Sequence, residues 1–514
     1  MYSQVVLNAL RRFPERIMFI QDDRSWTYRE MQDAIAQWVA LLQGRGLQRG
    51  GGVGVLSPNR PEVWLTQTAV PFAGGRYTAL HPLGSFDDHL YACDEAELSI
   101  LFVAPNYAPR AAQLLQHAKT LRHVFTFGPT EEGIGENLET VLAAVTPGAL
   151  DAGPQGPNDI AWLLYTGGTT GVPKAAMLSS RAIAQMGFSV STGWDLPAER
   201  RFLASAPISH AAGMPILATL LAGGTTVLQS SFNAGDWMRA VTQHRITLSL
   251  LVPTMIYAVL DHPDLASADL SSLQTVLYGA SPMSPTRLIE AIDRIGPVFM
   301  QLYGQTECAG IATSMWRSQH DVSNAARLAS CGTPMPGNRV EVLNEQNQPV
   351  PAGEAGEICV AGPTVMQGYW KQPELTAATI IDGWLHTGDM ATVDADGYFT
   401  IVDRKKDMII SGGFNVFPRE IEDVISTDPS VSMVAVIGVP DEKWGEAVMA
   451  VIVPKPGASI DEDAIKSLVR EHKGPVYAPK TIEVVDAIPL TPVGKPDKKT
   501  LRAKYWVGAT RSVN

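Results

Sequence analysis

Apolar positions recur along this chain in two alternating rhythms. LNALRRFPERIMFI, from Leu7, and YREMQDAIAQWVALLQGRGL, from Tyr28, carry them at helical spacing, the second closed by glycine. GGVGVLSP, RYTAL and LSILFVAP are short apolar runs bounded by Gly, Pro and Asn, the pattern of buried strands. After the Pro/Gly-rich connection at residues 146–159 the alternation resumes, with TTVLQ, ITLSLLVP, LQTVLYGA and PVFMQLYG as strands. Strands and helices in this order predict an α/β protein with layered, mostly parallel sheets.

Two regions break the rhythm. NRVEVLNEQNQPVPAGEAGEICVAG alternates more strictly and turns at polar clusters, as antiparallel strands do. From Arg404 onward, short strands such as VSMVAVIGVPD and EAVMAVIVPK alternate with helices, among them FPREIEDVI, where Pro418 opens a helix with acids in its first turn. A chain of 514 residues exceeds one hydrophobic core. The expected division is 1–403, a large unit, and 404–514, a small α+β unit. Residues 202–236 lack Asp, Glu, Lys and Arg until the last position, but Pro207, Pro215 and Gly223–Gly224 interrupt them, so a buried helix running into a buried strand is expected instead of a membrane span.

Charge supports the division. The residues from Arg404 on hold 16 Lys and Arg against 15 Asp and Glu, whereas the rest holds 24 against 37. A net charge of −12 argues against a nucleic-acid partner. Cys93, Cys308, Cys331 and Cys359 are scattered, which suggests neither a disulfide framework nor a zinc site and fits a reducing cytoplasm. The start, MYSQVVLNALRRFPER, lacks the apolar core of a signal peptide.

Candidate chemistry begins at YTGGTTGVPK, residues 165–174. Glycines here let backbone N–H groups turn inward around an anion, threonine hydroxyls add donors, and Lys174 adds a cation. It is not a Walker A loop, because Val172 and Pro173 separate Gly171 from the lysine and Ala175 follows it. Downstream stand YGQTE (303–307), GWLHTGD (383–389), DRKKDMIISGGFNVFPREIE (403–422) and PLTPVGKPDK (489–498). In this order and spacing they resemble the adenylate-forming superfamily of acyl-CoA synthetases, luciferases and peptide-synthetase adenylation domains. HPLGSFDDH, LYGASPMSP and SGGFNVFPREIEDV are most similar to bacterial fatty-acyl-CoA or aryl-CoA ligases.

The resemblance implies an α/β fold with a large N-terminal domain, a β-barrel-like subdomain and a small mobile C-terminal domain. It implies an AMP-forming acid–thiol ligase using ATP, Mg²⁺ and coenzyme A: a carboxylate attacks the α-phosphorus of ATP, pyrophosphate leaves, and a thiol takes the acyl group. Thr166, Gly167, Gly168, Thr169, Thr170, Gly171 and Lys174 would hold the leaving phosphates. Glu307, with Thr170, would hold the metal, a hard cation suited to carboxylate and phosphate oxygens. Thr306 would meet the α-phosphate, Gly279, Ala280 and Ser281 the adenine face, with Tyr303 stacking on it and Gly304 beside it. Asp389 would accept from the ribose hydroxyls, with Arg404 reaching the same sugar. Lys495 would be the catalytic cation between carboxylate and α-phosphate. Lys406 falls at the family's hinge, Ser411, Gly412, Gly413 and Phe414 would flank the pantetheine arm, and Trp444 would lie near the nucleotide end of CoA. Ala478 departs from the pattern where several relatives carry a basic residue, leaving Lys473 or Lys480 as grips for the CoA phosphates.

His210, in APISHAAGM, resembles the residue that closes the acyl pocket near the carboxylate. Phe188, Trp194, Ala211, Met214, Leu250, Tyr278, Leu302 and Ala309 make a candidate apolar lining for a small-molecule fatty, cyclic or aryl carboxylate. No acid stands near His210 to pair a substrate ammonium, which disfavours amino acids. Two alternatives stay open: an acyl-AMP ligase that loads a carrier-protein thiol, and a nucleotide-binding switch without covalent chemistry. The resemblance is also compatible with a homodimer.

Overall fold

The computed structural model describes residues 1–130, 133–166, 173–404, 407–411, 414–441, 444–491 and 494–506, without the side chains of Arg404, Phe414 and Asn415. Two large sheets dominate it. One has seven strands in the order Glu136–Asn137, His123–Thr126, Leu98–Val103, Gly52–Leu56, Arg76–Leu80, Ile160–Thr166, Lys174–Ser179. All its pairings are parallel except the last, a hairpin that brings Thr166 opposite Lys174. The other has nine strands and a parallel centre in which Arg201–Ala204, Leu248–Leu251, Thr275–Gly279 and Phe299–Tyr303 lie side by side.

Helices fill the space between these sheets. Pro61–Phe72 is buried at every residue except Glu62, as a largely apolar helix must be when layers cover it on each face. Tyr28–Gly44 starts at a capping box, in which Thr27 N–H donates to Glu30 (2.6 Å) and Glu30 N–H to the Thr27 hydroxyl (3.1 Å). Its Trp38 stacks on Phe102 of the seven-stranded sheet, whose ring also stacks on Phe125 and Phe127. Complete burial of Phe102 contributes about 2–3 kcal/mol. LNALRRFPERIMFI is not one helix. It divides into helix Tyr2–Arg12 and strand Ile17–Gln21, because Pro14 disfavours the helical conformation at Phe13.

A five-stranded antiparallel sheet, with Arg339–Leu343 paired to Gly356–Ala361 and Trp384–Val393 next to it, follows the large sheets. A last five-stranded sheet gathers Ile409–Ser411, Phe414–Val416, Val431–Asp441, Gly445–Pro454 and Thr481–Val484, with helices Pro418–Ile425 and Glu462–Lys473 against it. Residues 202–236 do form a buried helix, Met214–Leu221, running into strand Thr225–Leu228. Among the described residues no helix is long and apolar enough to cross a membrane.

The last sheet's unit touches the nine-stranded unit at specific polar contacts. Arg419 donates to the Met283 carbonyl (2.8 Å), Ser284 Oγ to Ser426 Oγ (2.9 Å) and Thr254 Oγ1 to the Gly494 carbonyl (2.9 Å).

Candidate active site

Several side chains of the site leave the carboxyl ends of parallel strands. His81 follows Arg76–Leu80, residues 205–210 follow Arg201–Ala204, Ala280 and Ser281 follow Thr275–Gly279, and residues 304–307 follow Phe299–Tyr303. Crevices outside these strand ends are where open α/β sheets bind ligands, since successive loops diverge there. The two large sheets meet at this point: His81 of one lies edge-to-face against His210 of the other, ring centroids 5.5 Å apart.

The expected nucleoside end centres on Asp389, buried in strand Trp384–Val393. Its Oδ2 accepts from Tyr303 Oη (2.8 Å) and from Gln305 Nε2 (2.8 Å), and Gln305 also donates to the Thr387 carbonyl. Burial first and the Asp389 charge second keep the Tyr303 hydroxyl protonated, well above its ordinary pKa, so it serves as the donor. Arg404 stands directly across from Asp389 in the antiparallel register. Sequence reasoning left Gln305 without a role, although it sits inside YGQTE. Gly279 and Gly304 are set by close backbone approach. A Cβ at Gly279 would fall 2.1 Å from the Leu302 carbonyl, and one at Gly304 would fall 2.4 Å from Gly310. Ala280 takes the left-handed conformation, φ +64°, a strained choice for a residue with a Cβ.

Glu307 lies in the single turn Thr306–Cys308 and is buried. Tyr369 Oη donates to its Oε1 (2.9 Å), and the Lys174 ammonium sits 5.2 Å from the Tyr369 ring centre. Tyr369 thereby joins the expected metal carboxylate to the end of the phosphate loop. Burial, then Glu307, raises the Tyr369 pKa and keeps it a donor. This tyrosine was missed in the sequence, where only the aromatic pair of QGYWK marks it. Gly167, Gly168, Thr169, Thr170 and Gly171 lie outside the described residues. Thr166 and Lys174, paired across the hairpin, fix where that loop leaves and returns.

At the acyl end, Ser209 Oγ is 2.9 Å from His210 Nδ1. Burial, then His81, then Lys495 lower the His210 pKa to about 4, so the ring is neutral at physiological pH. Lys495 belongs to the other unit, and its neighbour Gly494 is held against the large unit by Thr254. His81 was not singled out in the sequence. The structure fixes it by a Leu83 N–H bond to its Nδ1 (3.1 Å) and by His89 Nε2 on its carbonyl (2.8 Å). Trp194, Met214, Leu250, Leu302 and Ala309 are buried in one apolar cluster, with Ala211 packed at its side.

Two lining expectations need correction. Tyr278 points to the opposite face of its sheet from Leu250 and Leu302. There it packs edge-on against Phe299, and its hydroxyl meets His320 Nε2 (2.9 Å). Strand alternation is the reason: Leu277, not Tyr278, is in register with Leu250. Phe188 stands 49% exposed on the outer side of helix Ser180–Gly193 and is not part of the cluster.

Among residues expected near the thiol, Ser411 is buried and pairs with Phe414 across the strands. Lys406, Gly412 and Gly413 lie outside the described residues. Trp444 is partly exposed, and Lys480 Nζ sits 5.6 Å from its ring centre. Lys473 is paired with Glu420 at 3.2 Å. Lys480 is thus the lysine placed beside Trp444.

Comparison with known proteins gives the family. The model of the AMP-binding enzyme family matches residues 6–370, and that of the AMP-binding enzyme C-terminal domain matches residues 420–495. The chain belongs to the AMP-binding enzyme family. It is 44% identical over 523 residues to the medium/long-chain-fatty-acid–CoA ligase FadD8 of Mycobacterium tuberculosis, covering 99% of this chain and 91% of that protein. It is 38% identical over 488 residues to a feruloyl-CoA synthase of Amycolatopsis, covering 93% and 94%. The solved structure of the amide bond synthetase McbA from Marinactinospora thermotolerans superposes with TM-score 0.89 at 32% identity, covering 98% of this chain and 100% of that one. As a member of the family, the chain is an enzyme, and the Thr254–Gly494 contact joins its two matched segments.

Proposed function

We propose that this AMP-binding enzyme is an ATP-dependent acyl-CoA ligase for an apolar fatty, cyclic or aromatic carboxylic acid. Residues 1–403 form the adenylation unit, and residues 404–514 carry the catalytic lysine. The reading is supported above all by the bond from Thr254 Oγ1 to the Gly494 carbonyl (2.9 Å), which seats the residue next to Lys495 against the large unit, beyond the strand that gives Leu250 to the apolar cluster.

In the first half-reaction a carboxylate oxygen bonds to the α-phosphorus of ATP and the bond to the bridging oxygen of pyrophosphate breaks. Two anions approach each other in that step, and Lys495 offsets their repulsion and stabilises the charge that builds on the α-phosphate. His210, neutral at working pH, closes the pocket without competing for the carboxylate. Asp389, oriented by Tyr303 and Gln305, accepts from the ribose, while Arg404 stands across from it. In the second half-reaction the CoA thiolate bonds to the acyl carbon and AMP leaves with the electron pair of the C–O bond. Trp444 and Lys480 support CoA as acceptor, since an aromatic face and a cation suit its adenine and phosphates.

Magnesium fits the metal position. Glu307 is a buried carboxylate next to the phosphate loop, and no group of three His, Cys, Asp or Glu stands together among the described residues. Mg²⁺ takes one or two carboxylates and fills its shell with phosphate oxygens and water. Bound there, it supplies positive charge to the departing pyrophosphate. The four cysteines are free and buried, which supports a cytoplasmic setting.

Pyrophosphate release is the test, measured over dodecanoate, ferulate, indole-3-acetate and benzoate, with CoA, a holo-carrier protein or an amine as acceptor. Release that depends on an apolar acid and yields a thioester with CoA is expected. Faster transfer to the carrier protein or to the amine refutes the CoA assignment, and release independent of every acid refutes the ligase reading.

A further inference from the structure

The turn that carries Lys495 is closed on itself. Thr491 N–H donates to the Lys495 carbonyl (2.7 Å), Lys495 N–H to Thr491 Oγ1 (3.1 Å) and Gly494 N–H to the Thr491 carbonyl (2.8 Å). Leu490 and Pro496 bridge antiparallel at its base. These bonds tie Thr491, Gly494 and Lys495 together, so the place where Gly494 docks bears on where the ammonium goes.

That place is the carboxyl end of strand Leu248–Leu251. Thr254 lies in the first turn of helix Pro253–Leu260, beyond Val252. Hydroxyls in a first turn commonly bond within their own helix. Thr254 instead donates to the carbonyl of Gly494, 240 residues away and adjacent to Lys495, at 2.9 Å. Gly494 has φ +80°, and a Cβ there would lie 3.2 Å from Val252 Cγ2, tighter than ordinary contact, so the turn sits close against this loop. Leu250, two residues before Val252, belongs to the apolar cluster, so one short segment contributes both to that cluster and to the seat of the lysine turn.

We propose that Thr254 is a positioning residue for adenylate formation: its hydroxyl holds the Lys495 turn against the large unit so that the ammonium reaches the space beside His210. The proposal rests on the reading of Lys495 as the lysine of the first half-reaction. The second half-reaction starts from an adenylate already formed, so the contact has no part in it.

Thr254→Val keeps the shape and removes the donor. With the panel acid that the wild-type protein turns over fastest, ATP–pyrophosphate exchange reports the first half-reaction, and thioester formation from the matching supplied acyl-adenylate and CoA reports the second. Exchange should fall about fivefold to tenfold, the effect of one net hydrogen bond. Thioester formation should stay within twofold of wild type, and Thr254→Ser should restore most of the exchange. In a Lys495→Ala background, Thr254→Val should lower the residual exchange no further. Three results overturn the proposal: unchanged exchange in Thr254→Val, equal loss of both half-reactions, or an additional loss in the Lys495→Ala background. Full exchange by Lys495→Ala alone overturns the reading of Lys495, and the role of Thr254 falls with it.

Discussion

Removing the Tyr303 hydroxyl tests how the ribose carboxylate is oriented. Tyr303→Phe retains the ring and deletes one donor to Asp389 Oδ2. A bond from a neutral donor to a charged acceptor is worth about 1.5–3 kcal/mol when its loss leaves the charge unpaired. Here Gln305 Nε2 still holds the same oxygen at 2.8 Å, so the loss should be nearer about 1–1.5 kcal/mol, or about fivefold to tenfold in ATP affinity. Calorimetric titration with a non-hydrolysable ATP analogue measures it directly, and the KM for the carboxylate should not change. Gln305→Leu removes a second donor. Because both bonds end on one oxygen, the double variant should depart from the sum of the singles by at least about 0.5 kcal/mol. Affinity within twofold of wild type in Tyr303→Phe, or additivity within about 0.3 kcal/mol, refutes a shared role in orienting Asp389.

Lys495→Ala should nearly abolish adenylate formation while sparing thioester formation from supplied acyl-adenylate; equal loss of both contradicts the assigned role. Lys480→Ala should raise the KM for CoA about fivefold to tenfold, whereas Lys473→Ala, whose ammonium already pairs with Glu420, should change it less than twofold. The Lys480 effect should vanish with pantetheine as acceptor, and its persistence there argues against a grip on the CoA phosphates. His320 is held neutral, its Nδ1–H on the Trp316 carbonyl and its Nε2 accepting from Tyr278, and burial lowers its pKa to about 4. The unfolded ring takes a proton near pH 6.5, the folded one only near 4, so stability should fall as pH drops between these values, by on the order of 3 kcal/mol for this ring. His320→Gln should flatten that part of the urea-midpoint profile, and an unchanged slope refutes the assignment.

The sequence carried the elements and most of the chemistry. Strands at Gly52–Leu56, Arg76–Leu80 and Thr275–Gly279 lie where short apolar runs stand between turn residues, because side chains covered on both faces have no polar positions to alternate with. Pro418 marks the start of its helix for an equally local reason, a fixed φ and a missing N–H that costs nothing there. The long helical reading from Leu7 overran because a single proline outweighs the periodicity around it. Tyr278 and Phe188 were assigned to the pocket by apolar character alone, which says that a residue prefers cover and not which face of its element receives it.

Composition and local pattern thus determined the α/β class and the succession of elements, and the resemblance of the motifs to a known family pointed to the residues that would hold phosphate, ribose and carboxylate. Tertiary structure decided which of them meet. Tyr369 comes to Glu307, Gln305 to Asp389, His81 to His210 and Thr254 to Gly494 across 62, 84, 129 and 240 residues of chain. No local preference encodes such pairs. They follow from strand order and sheet packing, which bring together the carboxyl ends of two sheets and, at Thr254, a turn of the small unit.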